Sequence, residues 1–105
     1  NALMASSSID VESRQSAIAR VSGARREMSE VLLEIAAEKR SMAAVLQKSD
    51  EEALNRLYVV KVLESFKVVG KVRARQALDD LRIEHKRKIS NLTSAERDAL
   101  LRELQ

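Results

Sequence analysis

The sequence predicts an all-α fold: a long antiparallel helical hairpin with a short C-terminal helix, paired into a dimer. Three observations support this. The 105 residues contain no Pro and only two Gly, too few corner residues for a turn-rich β architecture. Apolar residues recur at steps of three and four through both halves of the chain, the period of an amphipathic helix. Two Ser/Thr-x-x-Glu runs, Ser49 to Glu52 and Thr93 to Glu96, carry the reciprocal capping pattern of helix starts.

The first helix is expected from about Asp10 to Gln47, with Ser8 or Asp10 as its N-cap and a stripe through Ile18, Val21, Met28, Leu32, Ile35, Met42 and Leu46. Arg25 and Lys39 interrupt the stripe, and Gly23 weakens the interior by about 1 kcal/mol relative to Ala. A helix of that length, about 55 Å at 1.5 Å per residue, needs a partner. The break at Lys48-Ser49-Asp50-Glu51-Glu52 supplies one, because a short connection between long helices folds them antiparallel. The second helix is expected from about Asp50 to Ile89. Its middle, Leu57 to Val72, is apolar on more than one face: Tyr58, Val62, Val69 and Val72 on one, Val59, Leu63 and Phe66 on the next. The first helix covers one face, so Tyr58, Val59, Val62, Leu63, Phe66 and Val69 are expected to form a dimer or partner interface. The third helix is expected from Ser94 to Leu104, with Ala95, Leu100, Leu101 and Leu104 packing back on the hairpin. Residues 1–7 are read as a disordered or cloning-derived N-terminus, because the chain begins at Asn1, and residues 8–105 as one domain.

Chemistry is sparse. There is no Cys, hence no disulfide framework and no Cys-ligated metal site. The one His, His85, lies among Arg82, Lys86, Arg87 and Lys88, neighbours that discourage cation binding. No glycine-rich phosphate loop is present, and adjacent carboxylates such as Asp79-Asp80 diverge on a helix. The chain reads as a non-enzyme without a cofactor. The weak metal candidates are His85, Met28 and Met42, the two methionines sitting in the apolar stripe as packing residues. With 19 Lys and Arg against 16 Asp and Glu, the net charge is only +3. From Lys61 to Lys88, however, nine basic residues face four acidic ones, and Lys71, Arg75, Arg82 and Lys86 recur at helical spacing as an anionic-partner face. The absence of interleaved aromatics and the pairing of Asp79 with Arg75 and Arg82 argue against nucleic acid.

The run Leu92-Thr93-Ser94-Ala95-Glu96-Arg97 resembles the Leu-Thr-x-x-Gln motif of Spy/CpxP-type periplasmic proteins and of the related membrane-anchored heavy-metal sensors of the CnrX type. Glu96 stands where the motif has Gln, and Ile9-Asp10 lies where a first copy would fall. The resemblance implies a curved dimer of helical hairpins serving as a periplasmic stress sensor or chaperone-like domain, with a secretion signal or membrane anchor upstream of Asn1. The main expectation is therefore a non-enzymatic interaction and dimerisation domain of that kind. The alternatives are an adaptor binding nucleic acid or an anionic surface through the basic face, and a coiled-coil component of a larger assembly.

Overall fold

The computed structural model describes residues 20–105. Helix α1, followed from residue 20 to residue 36, is succeeded by α2 (Met42–Leu46), α3 (Glu52–Asn55), α4 (Val59–Ser65), α5 (Gly70–Asp80), a 3-10 turn at Ile89–Asn91 and α6 (Ser94–Leu104). The fold is all-α, and the described residues contain no strand beyond a single bridge between Tyr58 and Lys88. It is not a long hairpin. The expected first helix stops near residue 37, and the expected second one is divided into α3, α4 and α5. The expected N-terminus 1–7, the caps Ser8 and Asp10, the motif copy at Ile9-Asp10 and the stripe position Ile18 lie outside the described residues.

Two of the breaks share one device. At the end of α1, Glu38 takes a positive φ of 62°, and the amides of Glu38 and Lys39 donate to the carbonyls of Ile35 and Glu34 at 3.1 and 2.9 Å. At the end of α5, Arg82 takes a φ of 58°, while the amides of Arg82 and Ile83 donate to Asp79 and Leu78 at 3.1 and 2.8 Å. Both are Schellman terminations, in which a left-handed residue turns the last amides back onto orphan helix carbonyls. Ile83, just past the left-handed Arg82, is buried and anchors the exit.

Helix starts differ in how they are satisfied. Ser41 Oγ accepts from the Ala44 amide at 3.1 Å and caps α2. Thr93 Oγ1 accepts from the Glu96 amide, and Glu96 Oε1 accepts from the Thr93 amide, closing a capping box on α6. The corresponding box at Ser49 and Glu52 does not form. Ser49 Oγ instead accepts from the Glu51 amide at 3.0 Å, Glu51 is the N-cap of α3, and Glu52 pairs with Arg56. The first amides of α4, from Val59 and Val60, donate to the carbonyls of Arg87 and His85 at 2.7 and 3.3 Å, so the loop after α5 closes the start of α4.

The core lies where α4 packs on α5 and α2 and α5 pack on α6. Val59, Val62 and Leu63 are fully buried, and Phe66 and Val69 nearly so. The valine-rich middle is thus apolar on several faces because its own chain covers it on several sides. That overturns the dimer seam: of the six residues assigned to it, only Tyr58 is exposed. Ala95, expected to pack inward from α6, is exposed.

One buried charge ties the C-terminal half together. Arg97 is 8% exposed and donates to three carbonyls: Leu46 at 3.0 Å, Ile89 at 2.7 Å and Leu92 at 3.3 Å. It links the end of α2, the 3-10 turn and α6, and burial lowers its pKa. Replacing Arg97 by Met keeps the apolar stem but strands the carbonyls. Urea unfolding of Arg97→Met is expected to show a loss of about 2–4 kcal/mol with an unchanged m value; a loss below about 0.5 kcal/mol would mean the three bonds contribute little to stability.

Candidate functional site

Phe66 and Val69 are buried anchors between α4 and α5, and the chain between them is turned outward, leaving Lys67 and Val68 exposed. The amides of Val69 and Gly70 both donate to the Phe66 carbonyl at 3.0 Å, drawing the connection into a tight turn. Gly70 then opens α5 with a φ of +73°, a left-handed backbone that costs an L side chain about 1–2 kcal/mol. A Cβ built on Gly70 meets nothing within 4 Å, so the glycine is required by its dihedral angle, and its surface lies open to an approaching ligand.

No side chain caps the start of α5: its N-cap, Val69, makes no capping hydrogen bond. The first amides of a helix have no partner within the helix and concentrate the positive end of its dipole, which makes an uncapped start receptive to an anion. Lys67, Lys71 and Arg73 surround it, all exposed and none in an ion pair among the described residues. Arg73 also braces the turn, donating to the Val68 carbonyl at 3.0 Å and the Glu103 carbonyl at 3.4 Å.

Several other cations are tied up in ion pairs. Glu64, whose side chain is 10% exposed, accepts from Arg75 at 2.8 Å and pairs with Lys61 at 3.4 Å, locking α4 to α5. Burial disfavours the Glu64 carboxylate, but the hydrogen bonds and charges of Arg75 and Lys61 outweigh it and lower its pKa. Arg40 grips both oxygens of Glu51 and donates to Glu34 at 2.9 Å, clamping the end of α1 to the start of α3. The Arg40 hydrogen bond holds Glu51 low against the opposing effect of burial. Glu96 is held low first by the Thr93 amide, against burial, with the Arg87 charge adding to the effect.

The expected basic stripe is therefore redrawn. Lys71 stands at the start of α5 and Arg75 is paired with Glu64, while Arg82 and Lys86 lie beyond the end of α5 at Asp80. They do not share a helix face. Lys67, Arg73 and Gly70 were missed. The signal for them was a glycine between two Lys-Val pairs, Lys67-Val68 and Lys71-Val72, with apolar anchors on either side. The metal candidates do not converge: Met42 is in the core, Met28 packs against it, and His85 Nε2 lies 2.8 Å from Asp79 Oδ1. Among the described residues no group of three or more His, Cys, Asp or Glu is placed to hold a metal ion.

Comparison with known proteins supplies the family to which this fold is similar. Residues 35–104 match the S13-like H2TH domain. Over 93 residues, 88% of this chain and 87% of the relative, the sequence is 33% identical to the integration host factor of Streptomyces coelicolor (strain ATCC BAA-471 / A3(2) / M145). The fold also matches a solved structure of sIHF bound to an 8-bp palindromic DNA, with a TM-score of 0.73 and 32% identity over 82% of this chain and 98% of that one. These findings overturn the Spy/CpxP and CnrX resemblance, which rested on one capping run. The periplasmic stress-sensor reading falls with it. Among the described residues no helix is long and apolar enough to cross a membrane. The argument against nucleic acid is reversed as well, since a close structural match carries DNA.

Two tests follow from the geometry. Gly70→Ala should lower stability by about 1–2 kcal/mol through its left-handed backbone, whereas Gly23→Ala, inside α1, should raise it by up to about 1 kcal/mol. Equal signs in thermal unfolding would contradict this assignment. The pH dependence follows from Glu51, Glu64 and Glu96, whose folded pKa values are held below the ordinary carboxylate range. A depressed carboxylate stabilises the fold above its unfolded pKa, and that stability is lost as pH falls through the folded value. The urea midpoint should therefore fall from about pH 5 downward, and Glu64→Gln should flatten part of the slope; a midpoint constant down to about pH 3 would refute the ion-pair account.

Proposed function

The chain belongs to the S13-like H2TH domain family, and on that footing we propose that it is a non-catalytic DNA-binding protein that grips the phosphate backbone with the α4–α5 turn. The observation that carries this reading is the uncapped start of α5. Gly70 leaves its backbone surface open, Val69 offers no side-chain cap, and Lys67, Lys71 and Arg73 stand around the turn without carboxylate partners among the described residues. The relative named integration host factor and the DNA-bound structural match support it.

Phosphate oxygens are strong acceptors, and helix-start amides with flanking lysines supply charge-assisted donors for them. Such contacts fix the position and orientation of a duplex without reading its sequence. Arg73 holds the turn in shape through the Val68 and Glu103 carbonyls, so the donors are ordered before the duplex arrives. Glu64 lies on the inner side of the same hairpin and uses its charge on Arg75 and Lys61, away from the phosphates. Arg82, Lys86 and Lys88 form a second group of exposed cations beyond α5 and add to the long-range attraction.

Fluorescence anisotropy with a labelled DNA duplex, repeated across a salt series, tests the proposal. Lys67→Glu with Lys71→Glu should weaken binding by about tenfold or more and reduce the slope of log K against log salt by about two. Reversing Arg82 and Lys86 should have the smaller effect. If the turn variant binds as the wild type does, the α4–α5 turn is not the DNA site.

A further inference from the structure

Val72 and Val68 are the most exposed large hydrophobic side chains among the described residues, at 84% and 69%. They lie four residues apart in the sequence, on either side of Gly70, Val68 in the turn and Val72 in the first turn of α5. Each directly follows a lysine of the anion-binding turn, as Lys67-Val68 and Lys71-Val72. Neither belongs to the core, which takes its apolar anchors from Phe66 and Val69 instead. Single exposed apolar residues are ordinary on a protein surface. Here two of them are interleaved with the cations of one short turn, the pattern a nucleic-acid backbone presents in complement.

Along a strand, anionic phosphates alternate with sugars. Deoxyribose offers an apolar C2′ edge, whereas ribose carries a 2′-hydroxyl that both donates and accepts hydrogen bonds. We propose that Val68 and Val72 pack on the sugars flanking the bound phosphates and make this chain select deoxyribose over ribose. The inference rests on the reading that the α4–α5 turn binds phosphates. A 2′-hydroxyl pressed against a valine loses its water and gains no partner, a penalty that deoxyribose avoids. Selectivity then comes from apolar shape beside the phosphates and needs no base contact.

The full chain should be titrated by anisotropy against a DNA duplex and an RNA duplex of the same sequence at one salt concentration. The variants are the isosteric Val68→Thr/Val72→Thr pair, which keeps the shape and adds hydroxyls able to meet a 2′-hydroxyl, and the Lys67→Glu/Lys71→Glu pair. The wild type is expected to favour DNA by about tenfold. The threonine pair should bring the two affinities within about threefold, chiefly through tighter RNA binding. Equal wild-type affinities, or an unchanged ratio in the threonine pair, would overturn the inference. Both proteins meet the same RNA duplex, so a changed ratio reports the side chains and not the duplex form. If circular dichroism shows the double variant to be unfolded, Val72→Thr alone carries the same comparison. An unchanged DNA affinity in the lysine variant would remove the phosphate reading itself, a failure distinct from an unchanged ratio.

Discussion

A helix can offer its first amides to an outside ligand only if its start is held in place by something other than a cap. In this protein that constraint is met at Gly70. Its left-handed backbone lets the chain leave α4, fold back and begin α5 within a few residues, with Phe66 and Val69, which flank the exposed Lys67-Val68 pair, buried as anchors. Glu64 then bonds across from α4 to Arg75 on α5, and Arg73 ties the turn to the end of α6. The Gly70 amide is spent on the Phe66 carbonyl in forming the turn, while the amides that follow it in the first turn of α5 receive no side-chain cap from Val69.

The same logic sorts the charges. A near-neutral chain can still present a cationic face if its carboxylates are used on particular cations. Glu34 and Glu51 take Arg40, Glu52 takes Arg56, Glu64 takes Lys61 and Arg75, and Glu96 takes Arg87. Arg97 is buried against carbonyls. Lys67, Lys71 and Arg73 are left exposed around the turn. The net charge of +3 is thus a poor guide to the local potential, which depends on which cations are paired. Acidic residues in this fold act as internal ties, and the depressed pKa values of Glu51, Glu64 and Glu96 follow from that role.

The helical class and the span of α6 were legible in the sequence because both depend on local chemistry: helical periodicity, few turn residues, and the Thr93–Glu96 pair. The broken helices were hidden for an equally local reason. Glu38 and Arg82 occupy the left-handed positions where glycine is the usual marker, so periodicity ran through both breaks unflagged. With α5 continued past Asp80, Arg82 and Lys86 fell onto one imagined stripe with Lys71 and Arg75. The circumferential apolarity of α4 was visible, but its cover was assigned to a second copy, since two long helices leave a face bare and several short ones do not. The burial of Arg97 depends on carbonyls up to 51 residues away, which no local pattern encodes. Gly70 was legible in principle, as the only residue in its run free to adopt a positive φ without strain.

The claim that the duplex is held at the α4–α5 turn is tested most directly by amide chemical-shift mapping of the full chain with a short DNA duplex. The largest perturbations should fall on the amides from Lys67 to Arg73, with Gly70 prominent among them and the Arg82–Lys88 loop affected less. Perturbations centred on that loop or on α1, with the amides around Gly70 unmoved, would contradict the account.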